Sequence, residues 1–441
     1  MKKITVAFLV LGAFMAKAQN VQNDTIKTNS IEALKESVDA HSMKFEGLEE
    51  RLATSDADLG KLTKIKVSGY IQAQYDMYDT WTFDGVHGIN GSSTSAPVTN
   101  SFFLRRARIK FAYEALDGVK FVLQPDFAFD KVSLKDAYVV LNDRWTKTFS
   151  LYLGQFDRPN YEVEYSSGSM EMLERTKMAG ILYPGEKELG AKLEANFDTK
   201  YNFPLKLQLA VMNGNFNLGT TANQTKDVDN TKDVMARAVY SVKLPNAGLG
   251  IDFGGHGYFG KTEVMPGTTL TGFTKADGTA FTPVVGDKLD KTWLGAEMQI
   301  YYDFLGGMAL KAEYISGTMS GVGSTSTYVN YNSGFKVAGL RDFSGYYATL
   351  IKNIGTKNQF IARYDEFDPN TKLSGNAVTS ANDLKYNTLT LSWQYFYDDN
   401  IKIVAGYSLP VNEKTTGITS GDFANRDKTD NQFSIRIQAK F

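Results

Sequence analysis

From residue 65 to the end of the chain, apolar and polar side chains alternate with a period of two. Ile65, Val67, Gly69, Ile71, Ala73 and Tyr75 interleave with Lys66, Ser68, Tyr70, Gln72, Gln74 and Asp76. The last stretch repeats the pattern, with Phe433, Ile435, Ile437, Ala439 and Phe441 set against Ser434, Arg436, Gln438 and Lys440. Successive strand residues point to opposite faces, so each such segment reads as a strand with one oily and one polar face. Sixteen can be placed, at about 65–80, 100–115, 118–129, 132–142, 147–157, 187–198, 203–214, 233–244, 248–259, 292–304, 307–317, 343–353, 357–367, 384–397, 400–410 and 430–441. Most are 10–15 residues long. A tilted membrane strand needs about 9–11 residues; ordinary globular strands have about 5–6.

The connections alternate in length. Short ones centre on Leu116-Asp117-Gly118, Asn142-Asp143-Arg144, Pro245-Asn246-Ala247, Leu305-Gly306-Gly307, Asn353-Ile354-Gly355 and Asp398-Asp399-Asn400, all rich in turn-forming residues. Long ones cover roughly 81–99, 158–186, 215–232, 260–291, 318–342, 368–383 and 411–429, with Asp130-Lys131 as the brief exception. An even number of antiparallel strands with short turns on one side and long loops on the other predicts an all-β fold, a 16-stranded antiparallel transmembrane β-barrel spanning 65–441. Closure is required because backbone groups in lipid must find partners within the protein. A soluble solenoid or sandwich predicts the opposite, with the oily faces turned inward. Aromatic residues near strand ends, among them Tyr75, Tyr78, Trp81, Phe102, Phe103, Trp145, Phe149, Trp293, Tyr301, Tyr302, Tyr395 and Tyr397, suit girdles at the membrane interface.

Before residue 65 the pattern differs. Lys2 and Lys3, the apolar run Ile4–Ala16 and the small residues of Ala16-Lys17-Ala18 read as a secretory signal over 1–18. Residues 19–30 form a polar, flexible lead. Ile31, Val38, Phe45, Leu52 and Leu59 then alternate at 3–4 spacing with Leu34, His41, Leu48, Ser55 and Leu62. That heptad predicts a short N-terminal α-helical coiled coil over 31–63, whose apolar seam needs partner helices.

Composition narrows the function. The 441 residues hold 48 Lys+Arg and 49 Asp+Glu, a net charge of −1, so no global cationic field points to nucleic acid. With Cys 0, disulfides and thiolate chemistry are excluded, and the three histidines, His41, His87 and His256, lie far apart in sequence. Neither Gly-x-Ser-x-Gly nor His-Glu-x-x-His occurs, so no enzyme signature and no cofactor or metal motif is present.

If the oily faces meet lipid, the alternate residues line the lumen. Parity puts fourteen basic residues there against nine acidic ones. The candidate pore-lining charges are Arg106, Arg108, Lys110, Lys120, Arg237, Arg363 and Arg436. Arg106, Arg108 and Lys110 share one face about 7 Å apart. They form a ladder that can pass an anion along, or cations that pair with Asp126, Asp136 or Glu194 and stiffen the wall. The long connection 158–186 carries Arg158, Glu162, Glu164, Glu171, Glu174, Arg175 and Lys177 together with Met170, Met172, Leu173, Met178, Ile181 and Leu182. That apolar content predicts a loop folded into the barrel as a constriction.

Lys66-Val67-Ser68-Gly69-Tyr70-Ile71-Gln72, the Arg105-Arg106-Ala107-Arg108 core of the run Phe103–Phe111, Leu153-Gly154-Gln155-Phe156-Asp157-Arg158-Pro159 and Leu173-Glu174-Arg175 resemble the phosphate-selective porin O and P family over about 65–441. The resemblance implies a trimeric 16-stranded outer-membrane porin with an inward third loop and anion preference, in some members with a periplasmic coiled coil. The acidic residues in the candidate loop favour weakly selective diffusion over phosphate specificity. The expected partners are therefore the lipid bilayer, small hydrophilic or anionic solutes and two further copies of the chain. The alternative function is structural, with the coiled coil tethering the barrel to the cell wall.

Overall fold

The computed structural model divides the chain into two compact units, Met1–Lys64 and Ile65–Phe441. It describes residues 51, 64–80, 98–128, 132–214, 227, 229–266, 270–322, 338–419 and 423–441. The signal segment 1–18, the lead 19–30 and, apart from Arg51, the coiled coil 31–63 lie outside the described residues, as do Trp81, His87 and the Asp130-Lys131 link.

The second unit has the strands β1 (Ile65–Tyr78), β2 (Asn100–Leu116), β3 (Val119–Asp126), β4 (Ser133–Asn142), β5 (Phe149–Asp157), β6 (Lys187–Asn196), β7 (Leu205–Met212) and β8 (Asp233–Leu244). They continue as β9 (Leu249–Glu263), β10 (Lys288–Tyr302), β11 (Met308–Val322), β12 (Ala338–Ile354), β13 (Asn358–Asp368), β14 (Tyr386–Phe396), β15 (Ile401–Asn412) and β16 (Gln432–Lys440). Each strand pairs antiparallel with its sequence neighbours, and β1 pairs with β16, giving a closed barrel of sixteen strands. At the seam Gly69 and Phe441 exchange two backbone hydrogen bonds of 3.0 Å. A Cβ at Gly69 would meet the Arg108 carbonyl oxygen at 2.4 Å as well as the terminal ring at 2.5 Å, so this position on the seam favours glycine. The turn after β2 needs another, because Gly118 has φ +79°, a conformation that side chains with a Cβ rarely adopt.

The two faces are sorted as lipid requires. Gln72, Gln74 and Asp76 are buried on the inner side of β1, while Val67, Ile71 and Met77 are exposed outward. On β16 Ser434, Arg436 and Gln438 are buried inside, and Ile437 is exposed outside. The oily stripes thus sit on the outer wall, which rejects the soluble sandwich. Among the described residues no helix is long and apolar enough to cross a membrane.

Two expectations need correction. β9 to β12 run beyond the periodic segments: β9 continues to Glu263, β10 begins at Lys288, β11 continues to Val322 and β12 begins at Ala338. Lys288 pairs with Glu263 in this extension. A wall rising above the membrane has no lipid face, so its sequence loses the oily alternation while the backbone ladder continues. Trp293 is not a girdle residue. It is 1% exposed, stacks on Tyr258 with ring centroids 3.9 Å apart, and faces the interior.

Candidate functional site

The connection between β5 and β6 folds into the barrel. Asn160 caps a one-turn helix, α1 (Tyr161–Glu164), by accepting from Val163 N, and Thr176 caps α2 (Lys177–Leu182) by accepting from Ala179 N. Side-chain oxygens at these positions satisfy amides that have no partner within a helix. Val163, Met178, Leu182 and Tyr183 then pack against wall residues Met212, Met235, Tyr258, Trp293, Ile315, Met319, Phe343 and Phe367. Burying four such side chains stabilises the docked loop by roughly 6–12 kcal/mol before ordering costs. Further along, Met172 joins Ala309, Ile351 and Ile361, and a Cβ at Gly406 would meet Leu173 at 2.6 Å.

Charged groups fasten the same loop. Its two arms are tied together by Glu162, which accepts from Thr176 N and Oγ1 at 2.6 Å each, and by Arg175, which pairs with Glu186 at 2.9 Å and donates to the carbonyls of Val163 and Tyr165. Arg158 is fully buried, pairing with Glu188 at 3.0 Å and donating to Pro184 O. Glu164 reaches the wall at Arg237 (2.9 Å), Lys192 (3.0 Å) and Lys206 (3.8 Å). Glu171 pairs with Lys311 at 2.7 Å, and Lys177 lies over the Tyr386 ring. At the tip, Glu174 takes two 2.7 Å bonds from Arg105 and one of 2.6 Å from Arg436, with Arg106 at 3.5 Å. Arg363 donates to the Glu174 carbonyl at 2.8 Å.

These contacts set the charge states. Burial alone would raise the Glu174 carboxyl, but Arg105, Arg106 and Arg436 outweigh it and hold the group well below the ordinary carboxylate range. Burial is likewise overcome at Glu186 by Arg175 and at Glu164 by Lys192, Lys206 and Arg237, and both carboxyls are lowered.

The inner wall holds the residues that parity singles out. Arg106, Arg108, Arg237, Arg363 and Arg436 are all less than a tenth exposed. Arg108 pairs with Asp126 at 2.7 Å and donates to Tyr70 Oη at 3.0 Å. Arg237 makes a two-bond pair with Glu297, and Arg363 lies 3.4 Å from Asp365. Lys110 keeps 36% of its side chain exposed although it lies 3.4 Å from Asp136. Lys120 is exposed near the short turn between β2 and β3. Parity missed Arg105. The ladder slips so that Gln72 faces Arg106 and Ala73 faces Leu104, which leaves Arg105 as an extra residue that also turns inward. The same happens at Lys135, between the pairs Gln124–Asp136 and Pro125–Leu134. A bulge places two adjacent side chains where strict alternation allows one, and the doubled Arg105-Arg106 was its one trace in sequence.

On the short-turn side of the loop lies a water-accessible space of ≈ 510 Å³, lined by Lys110, Lys402 and Lys440 but also by Asp136, Asp398 and Asp399. Its full lining is six cations against seven carboxylates, close to balance. The arrangement is a polar tube narrowed by a charge-stapled loop, with guanidiniums concentrated around the loop tip.

Residues 65–441 match the family model of the phosphate-selective porin O and P. No curated protein matches the chain. Solved structures share the fold at low identity. Pseudomonas putida OprB aligns over 88% of this chain and 96% of its own at 9% identity and TM-score 0.55. An anion-selective porin from Comamonas acidovorans aligns over 86% and 99% at 11% identity and TM-score 0.52. The outer membrane channel DcaP of Acinetobacter baumannii aligns over 86% and 97% at 12% identity and TM-score 0.51.

Proposed function

The chain belongs to the phosphate-selective porin O and P family, an outer-membrane porin, and from that premise we propose that it passes small hydrophilic solutes by diffusion with a preference for anions. The observation that carries the preference is the clustering around the loop tip. There Arg105, Arg106, Arg108, Arg363 and Arg436 are paired with only three carboxylates, Glu174, Asp126 and Asp365. Unbalanced positive charge in a low-dielectric wall raises the local anion concentration. The near-balanced cavity beside it favours a weak preference for inorganic anions over a phosphate-specific site. The reversal potential of single channels in a salt gradient tests this, and a cation-selective sign overturns it.

We further propose that the chain works as a homotrimer whose periplasmic coiled coil, residues 31–63, brings three barrels together. The heptad of Ile31, Leu34, Val38, Leu48, Leu52 and Leu62 supports that reading. Deleting 31–63 should abolish trimers in detergent. Intact trimers with a detached envelope would favour the tethering role.

A further inference from the structure

One group of buried residues on the wall takes no part in the clamp at the loop tip. His256 on β9, Glu297 on β10 and Glu313 on β11 offer ligand atoms that all lie within 4.8 Å of one another, and all three residues are buried. The register brings them together, because Glu297 sits directly opposite Glu313, and His256 directly opposite Gly295. Gly295 makes the room: a Cβ there would meet the imidazole at 2.3 Å. The ring therefore lies across the strand, with Nε2 3.4 Å from Tyr183 Oη and Nδ1 turned to Glu313. Tyr183 is itself fixed by Trp293 Nε1 at 3.0 Å.

Among the described residues Glu313 lacks the cationic partner that Glu297 has. Glu297 is neutralised by its two-bond pair with Arg237. Among the described residues no Lys or Arg lies within ion-pair distance of Glu313. Its neighbours are the Asn160 amide, which donates to Oε1, and His256 Nδ1 at 3.7 Å. Glu313 Oε2 and His256 Nδ1 are both buried without a hydrogen-bond partner, as is the hydroxyl of Tyr347, directly opposite Glu313 on β12. A buried carboxyl oxygen left without a partner is costly. The 3.7 Å gap is too long for a hydrogen bond. It is the separation of two ligands that share one ion, since bonds of about 2.0–2.2 Å put ligand atoms about 3–4 Å apart.

We propose that His256, Glu297 and Glu313 form a buried site for a divalent transition-metal ion of the zinc type, which fastens the two ends of the infolded loop to the wall. The imidazole nitrogen and carboxylate oxygens match that class. Tyr183 Oη on the far imidazole nitrogen is the outer partner such ligands carry. The fastening runs through two loop residues: Asn160, which caps α1, holds Glu313, and Tyr183, at the end of α2, holds His256. An ion there locks both ends of the loop onto β9–β11.

The test uses the full chain folded in detergent with Zn²⁺, desalted, and assayed for metal by mass spectrometry. About one ion per chain is expected. His256→Asn and Glu313→Gln should each lower occupancy at least tenfold while the heat-modifiable mobility of the folded barrel is kept. No metal in the wild type overturns the proposal, as does equal metal in wild type and variants. If either variant does not fold, X-ray absorption on the zinc-loaded wild type decides. One nitrogen with oxygen neighbours at about 2.0–2.2 Å supports the site, and an all-oxygen shell overturns it. Conductance is recorded on the same samples: a metal-free protein that still conducts leaves the porin reading standing.

Discussion

Replacing Glu174 with Gln should loosen the loop tip and strengthen anion preference together. One carboxylate holds three guanidiniums, those of Arg105, Arg106 and Arg436. Gln keeps the size but removes the charge, and its amide turns donors toward groups that only donate. Taking one partner from a buried ion pair costs about 3–5 kcal/mol. A quarter of the Glu174 side chain remains accessible, so the lower end, about 3 kcal/mol, is the expected cost. At about 1.4 kcal/mol per tenfold, the undocked tip becomes on the order of a hundredfold more populated. The loop stays inside, because α2 remains packed and Arg363 still holds the backbone carbonyl at position 174. Planar-bilayer recordings should therefore show noisier, more frequently opening channels, and a reversal potential shifted toward the anion limit by the unmasked cations. Unchanged noise and an unchanged reversal potential would refute the clamp. The pH dependence gives a second check. Because the Glu174 carboxyl is held below its ordinary 4.5, its contribution is complete above that value. It is lost only as pH falls through the lower folded value, so wild-type noise should be flat from pH 7 down to the ordinary value.

Lys110→Glu should lower the anion-to-cation permeability ratio more than Arg106→Gln does, because Lys110 is partly exposed to the lumen whereas Arg106 is buried at the clamp; both are read from reversal potentials. Glu164→Gln leaves Lys192, Lys206 and Arg237 short of a shared partner and should cost about 3 kcal/mol of loop docking, seen as faster limited proteolysis within 158–186. Burial pushes the Asp430 carboxyl up to about 6 despite Lys177 and Lys428. A raised carboxyl contributes stability that is complete below its ordinary 3.8 and lost as pH rises through about 6. Ionised Asp430 adds a negative charge beside Lys177 and Lys428, so anion preference should weaken as pH rises through about 6, and Asp430→Asn should abolish that change.

The barrel was legible because lipid imposes a strict rule on every strand. Ile435 and Ile437 must face out and Arg436 in, and a period of two records this residue by residue. Where lipid ends, the rule ends, and the upper parts of β9–β12 disappear from the pattern while the ladder carries on. Partners along the wall were partly legible, since Arg108 meets Asp126 and Lys110 meets Asp136; distant ones were not, because Glu174 meets Arg436 across 262 positions of sequence, and no local pattern encodes such a meeting. The apolar residues of 158–186 announced that the loop is buried, but not against which strands.

The same distinction explains how the pore can be both rigid and charged. Parity alone presents Arg106, Arg108 and Arg436 as a row open to the lumen. The folded loop takes up Arg106 and Arg436 in ion pairs with Glu174, Arg108 through the Ser167 hydroxyl and Arg436 through the Leu173 carbonyl. Asp126 balances Arg108, whereas Arg436 shares the single carboxylate of Glu174 with Arg105 and Arg106, so the three still contribute net positive field while they hold the loop. Direct contact with a passing solute falls to the cations left partly exposed, such as Lys110 and Lys206. Buried arginines that set the potential and flexible lysines that meet the solute need not be the same residues. Any change in selectivity that follows loss of a buried arginine should therefore come with a change in loop noise, whereas a change at Lys110 should not.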